Sequence, residues 1–212
     1  MKKTLFILVF LLAAGSAFGQ FRQSAIKLGY YNPSATDGGF LIGVETGKGI
    51  DEVLDVGFSL DWFHKEYVDK NFINQLGQIY GDIDVQEYEV LASTTLNSFP
   101  IMLNVSAHIP IDQPVDLYLT GAIGGDCLLV WYRSYENPYS DELEFAFDFS
   151  WRLGAGASYA LGSRSNVFFE LDYHNSKPSW EYDVEVSGVK KIIVREYDMS
   201  GIQAKIGLRF YY

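Results

Sequence analysis

The nearest the sequence comes to a nucleophile beside its base is "YHNSKPS", which sets His174 and Ser176 two residues apart. In an extended strand residues i and i+2 share a face. The imidazole would then take the hydroxyl proton, and Glu181 or Glu185 just downstream would orient the ring, the logic of a Ser-His-acid triad. The second chemical resource is charge. Lys27, Arg152, Lys205 and Arg209 occupy positions that alternate with bulky apolar residues. Glu45, Asp55, Asp61, Asp116, Asp126, Asp148, Glu170 and Asp172 do the same. Twelve ions on one face of a set of strands either neutralise one another or line a narrow cation-favouring path. Acids outnumber bases eight to four in that set, so some of the acids are expected near the ends, hydrated or protonated. No compact His/Cys/Asp cluster specifies a metal, and neither a metal nor a cofactor is expected. His64 and His108 fall at strand margins, with no partner that spacing identifies.

These residues need strands to position them, and the chain supplies strands almost everywhere. No helical period persists after residue 20, whereas alternation recurs. "FAFDFSWRLGAGASYAL" places Phe145, Phe147, Phe149, Trp151, Leu153, Ala155, Ala157, Tyr159 and Leu161 on one face. Small or charged residues take the other. Similar runs are "SAIKLGYY", "GFLIGVETG", "LDVGFSLDW", "FPIMLNVSAHI", "VDLYLTGAIGGDCLLVW", "NVFFELDYH" and "GIQAKIGLRFYY", which makes eight strands. The links alternate in length. "GKGIDEV", "IPIDQPV" and "LGSRSN" are tight, while roughly 65–98, 133–142 and 175–200 are long and polar. Alternation on both sides of Ser187-Gly188 predicts a protruding hairpin. The run Tyr88, Val90, Ala92, Thr94, Leu96 slips in parity before Phe99, which predicts a bulge near Asn97 that also accommodates Pro100.

The polar face settles which side meets which solvent. A water-facing surface is normally rich in long Lys and Glu. Here the polar set is mostly Gly29, Gly43, Gly57, Ser59, Gly124, Ser150, Gly154, Gly156, Ser158 and Gly207 among single charges. Small residues suit a narrow lumen, and nine bulky groups on a single strand suit lipid. Tyr30, Trp62, Trp131, Tyr159, Tyr173 and Tyr212 near strand ends suit interfacial girdles. Lipid offers no hydrogen bonds, so the sheet must close into a ring. The expected fold is all-β: an eight-stranded antiparallel up-and-down transmembrane β-barrel with short turns at one end and longer loops or hairpins at the other. The competing architecture is a soluble calycin-like ligand-binding barrel, greasy inside and polar outside.

Export fits this reading. "MKKTLFILVFLLAAGSAFGQ" has two lysines, a ten-residue apolar core and a small-residue site. That is the layout of a signal peptide over 1–19. It leaves a barrel domain over 20–212. Its removal takes the formal charge from -11 to -13. With no basic cluster, nucleic acid is not expected as a partner. The single Cys127 forms no internal disulfide.

In these features the chain resembles the small eight-stranded outer-membrane barrels of the OmpA, OmpX and OmpW-like group. The closing "KIGLRFYY" carries much of the likeness. Ile206, Leu208, Phe210 and Tyr212 resemble the C-terminal signal recognised by the barrel-assembly machinery, with Tyr where Phe is more usual. The resemblance implies the outer membrane as location, and outer-membrane lipids and the assembly machinery as partners. It also implies periplasmic termini, short periplasmic turns, and longer extracellular loops or hairpins. His174, Ser176 and the downstream acid are similar to the catalytic group of the lipid A deacylases of the PagL type. In that family, however, the pair faces lipid, whereas His174 falls here on the inward face. The expected role is structural or surface-interacting, without enzymatic activity and with a side-chain-filled lumen. Acidic, tyrosine-rich loops offer a surface to an extracellular partner. The alternatives are a lipid A deacylase-like hydrolase, a narrow cation-favouring pore and the soluble barrel.

Overall fold

Alternation that leaves a bulky apolar residue at every second position folds, in the computed structural model, into a closed ring of strands. The structure describes residues 22–68, 93–110, 114–133, 141–186 and 189–212. The signal-peptide expectation and the Ser187-Gly188 turn lie outside those residues, as does the alternating run over 88–92. Among the described residues there are ten strands: β1 Gln23–Pro33, β2 Gly39–Gly49, β3 Leu54–Val68, β4 Ser93–Ile109, β5 Val115–Arg133, β6 Asp141–Gly162, β7 Ser165–Asn175, β8 Ser179–Val186, β9 Val189–Glu196 and β10 Gly201–Tyr211.

Eight of them form the barrel. Neighbours pair antiparallel from β1 through β7, and β10 lies between β7 and β1. Closure runs from Gln23 opposite Tyr211 to Pro33 opposite Gly201. No barrel strand is left with an open edge along that ring, as hydrocarbon requires. The other two strands, β8 and β9, form the protruding hairpin and touch the wall where Ser179 pairs with Phe147 of β6. A strand needs only ~9–11 residues to span a bilayer. At 19 and 22 residues, β5 and β6 therefore continue past the bilayer at the long-loop end.

Side-chain direction follows the period of two. Ile26, Leu28, Phe40, Leu60, Phe147, Phe149, Leu153, Phe169 and Ile206 are exposed on the outside, while Lys27, Asp61, Arg152, Asp172 and Lys205 are buried within. Glycines give the ions their room: a Cβ on Gly43 would collide with the Asp61 carboxylate, and one on Gly154 with Asp172.

The expected bulge near Asn97 is absent. β4 keeps one register against β3 from Leu54 opposite Ala107 to Val68 opposite Ser93, and one register against β5. The β3–β4 ladder is merely interrupted where Pro100 and Phe99 face Asp61 and Trp62. That gap accommodates the proline's missing donor. Leu96 looked out of phase because it points inward, into an apolar part of the interior. A register shift does occur in β6, between Ala160 and Gly162 at the tight turn into β7.

Candidate functional site

The interior is built in layers. The middle layer is ionic. Lys27 Nζ lies 3.0 Å from Asp61 and 3.6 Å from Glu45. Arg152 bridges Asp61 at 2.8 Å and Asp172 at 3.3 Å. Lys205 Nζ sits 2.7 Å from both Glu170 and Asp172. Arg209 reaches Glu45 at 3.3 Å and stacks over the Phe168 and Tyr118 rings at 5.0 and 5.7 Å. Four cations thus meet four carboxylates. Each buried ion has a partner of opposite sign, the condition under which burial is tolerated.

Two histidines take up three more acids. At the short-turn end His108 Nδ1 lies 2.6 Å from Asp116 and Nε2 lies 3.1 Å from Asp55. Gln23 donates to Asp55, and the Ser158 hydroxyl donates to Asp116. On the long-loop side of the ionic layer His174 Nε2 lies 3.5 Å from Asp126. The Ser98 hydroxyl donates to Asp126 at 2.7 Å. Asp148, the remaining acid, stands apart from the ions and accepts the backbone N–H of Lys177 at 2.6 Å. The eight-to-four imbalance of the sequence is thereby distributed: four acids with four bases, three with histidines, one on a backbone amide.

Above these residues the interior turns apolar. Tyr31, Leu41, Phe63, Leu96, Leu128 and Val130 pack with Trp180, Tyr197 and Met199 from the roots of the β8–β9 hairpin. The Trp180 and Tyr197 rings stack at 5.5 Å, and Tyr31 meets Phe63 edge-on at 5.0 Å. The cap is tied to the wall by backbone bonds from Ser34 to Ser200 and from Ala35 to Asp198. The sequence reading missed this layer and the partners of His108. It also missed the inward aromatics Tyr118 and Phe168. Leu96, off phase in sequence, was the available signal.

His174 and Ser176 are both inside and fully buried. Among the described residues, Ser176 Oγ has no hydrogen-bond partner, and the acid beside His174 is Asp126. The Glu181 and Glu185 side chains lie outside the described residues. Among the described residues no group of three His, Cys, Asp or Glu is arranged to hold a metal ion. At the C-terminus Ile206, Leu208 and Phe210 face outward, and the Tyr212 hydroxyl is 2.9 Å from Ser24 Oγ.

A family model described as outer membrane protein beta-barrel domain matches residues 4–210. No curated protein sequence matches the chain. Among solved structures, the outer membrane protein OprG from Pseudomonas aeruginosa superposes with a TM-score of 0.58 at 13% identity, covering 91% of this chain and 96% of that one. A major outer membrane protein from Thermus thermophilus gives 0.54 at 13% identity, with 90% and 99% covered. Neisserial surface protein A gives 0.53 at 12% identity, with 91% and 96% covered. At these identities the likeness is one of fold.

Proposed function

Because the chain belongs to the family of outer membrane protein β-barrel domains, we propose that it serves as a closed structural barrel. In this role its extracellular hairpins meet surface partners while the bore conducts nothing. The observation that carries this reading is the stacking of a neutralised ionic layer beneath an apolar cap, which together occupy the bore. An eight-stranded barrel has room for side chains and little else. Ions held by partners of opposite sign within about 3 Å resist displacement, because a charge stripped of its partner costs several kcal/mol.

The hydrolase alternative is less well supported. A lipid-cleaving Ser-His pair must meet an acyl ester, and both side chains are enclosed here. The test of the closed bore is single-channel recording in a planar bilayer. A silent membrane is expected, and discrete, cation-selective conductance steps from the purified protein would overturn the reading.

A further inference from the structure

The outward face of β5 and β6 stays apolar beyond the bilayer. On β6 the stretch from Trp151 to Leu161 already supplies the ~9–11 residues that a crossing takes. The Trp151 ring lies 5.9 Å from that of Tyr173 on β7, as in an interfacial girdle. Yet the outward set continues through Phe149, Phe147, Phe145 and Leu143 towards the long-loop end, about 26 Å further along the strand. These four side chains are 55–61% exposed. On β5, half-exposed Cys127, Leu129 and Trp131 stand opposite Phe147, Phe145 and Leu143. The next strand ends the patch with polar groups. Asn97 and Thr95 of β4 lie opposite Leu129 and Trp131, and Asn97 accepts the Trp62 indole N–H.

A half-exposed phenylalanine offers about 100 Å², so the whole patch presents roughly 500 Å² to water. An apolar area of that size with a polar rim marks an interaction site. Two such faces together bury about 1,000 Å², the point at which a protein contact becomes specific. A second feature lies on the same wall, within the bilayer. The outward residues Gly121, Ala155 and Ala157 are small, and a hollow of about 660 Å³ opens around Gly121, with Val105, Leu119, Trp151 and Leu153 in its lining. Between proteins in lipid, contact depends on small residues that allow close approach. Barrels inserted the same way up carry this wall at the same height. A two-fold axis along the membrane normal therefore sets one wall against the other with its apolar patch in step.

We propose that the β5–β6 wall is a homodimer interface, occupied by the same wall of a second copy of this chain. Phe145, Phe147 and Phe149 of the two copies pack together above the bilayer, where water drives apolar burial. Beneath them the hollow at Gly121 admits side chains of the second copy. Hydrocarbon does not reach the upper part of the wall, so a protein face rather than a lipid covers it. The contact goes beyond the closed-bore reading and does not depend on it.

Cys127 lies on this wall and is the sole cysteine of the chain, so the native thiol is the probe. The full-length mature protein is folded into phosphatidylcholine vesicles and treated with a short bismaleimide as the lipid-to-protein ratio is raised. A covalent dimer through Cys127 is expected, and it should persist as lipid dilutes the protein. In C127S/F40C the thiol moves to exposed position 40 on β2, across the barrel. Cross-linking should then fall to the level of random collision, and equal cross-linking from both positions would overturn the proposal. F145S/F147S, which keeps Cys127, is expected to raise the dissociation constant about a hundredfold, a factor of ten for each interface aromatic lost. The shift of migration on heating confirms that this variant is folded. Should it fail to fold, Leu143→Lys changes one exposed side chain at the end of the patch. It sets like charges face to face and is expected to weaken the dimer about tenfold. Wild type that is monomeric at every dilution, or a dimer that survives these substitutions unchanged in a folded barrel, would overturn the proposal.

Discussion

Removing one cation from the ionic layer tests whether its charges act as a unit. Arg152 is buried and divides its guanidinium between Asp61 at 2.8 Å and Asp172 at 3.3 Å. Arg152→Met leaves three cations against four carboxylates, with Asp61 dependent on Lys27 and Asp172 on Lys205. Neither carboxylate has water to fall back on, since Asp61 is fully buried and Asp172 nearly so. Breaking a buried pair from one side costs about 3–5 kcal/mol, because a charge is stranded. Asp61→Leu upsets the balance in the opposite sense, leaving Lys27 with Glu45 at 3.6 Å and Arg152 with Asp172 at 3.3 Å and four cations against three carboxylates, at a similar cost of about 3–5 kcal/mol. The double variant D61L/R152M removes one charge of each sign and leaves three cations against three carboxylates. Its cost is therefore expected to fall short of the two single costs together by about 2–3 kcal/mol, the upper part of the range for coupled neighbours. Urea unfolding in lipid vesicles, followed by tryptophan emission for the four proteins, measures this directly. Additivity within about 0.5 kcal/mol would refute the reasoning, because independent sites add to that tolerance.

Arg209→Leu is expected to be milder, about 1–3 kcal/mol, because less of a buried-pair penalty applies. Its partner Glu45 is partly exposed and also lies 3.6 Å from Lys27; a loss as large as that of Arg152→Met in the same assay would contradict this. Met199→Ala empties a fully buried site in the apolar cap. It should cost about 2–5 kcal/mol, the usual range for a core Met truncation; an unchanged unfolding midpoint would mean the cap does not pack as described. Ser176→Ala is expected to leave lipid A acylation in cells unaltered, and a change in the acyl pattern would revive the hydrolase alternative. Deleting Tyr212 removes the terminal aromatic that follows β10 and its hydroxyl contact to Ser24; slower insertion is expected, read as less folded protein in the outer-membrane fraction, and normal levels would argue against an assembly role.

The barrel was legible because its bilayer-spanning part obeys one rule on every strand. Phe145 to Leu161 alternates apolar with small or charged residues throughout, and Ile26, Leu28 and Tyr30 do so against Lys27 and Gly29. Lipid outside and a narrow polar bore inside impose that contrast. The contrast disappears where the interior itself becomes apolar. Leu41, Leu128 and Val130 point inward between outward neighbours that are also apolar, so the period of two no longer shows. Leu96 gave the same ambiguity the look of a parity slip, and a bulge was inferred where the register is continuous. The charged residues were legible as a set, but their pairing was not. Which acid meets which base depends on inter-strand register, as in His108 reaching Asp55 across 53 residues of chain and Asp116 across a short turn. The cap was hidden for the same reason. Trp180, Tyr197 and Met199 lie in a segment that reads as a polar loop, and only folding brings them over Tyr31 and Phe63.

A closed barrel fixes which side of the wall each residue of a strand faces, and β7 tests this most directly. Spin labels placed singly at Val167, Phe168, Phe169, Leu171 and Tyr173 in lipid vesicles report collisions with oxygen, which concentrates in hydrocarbon, and with a water-soluble nickel chelate. High oxygen and low nickel accessibility are expected at Val167, Phe169, Leu171 and Tyr173, and low accessibility to both at Phe168, which is buried against Arg209. Protection of the four odd-numbered positions, with Phe168 open to lipid or water, would contradict it.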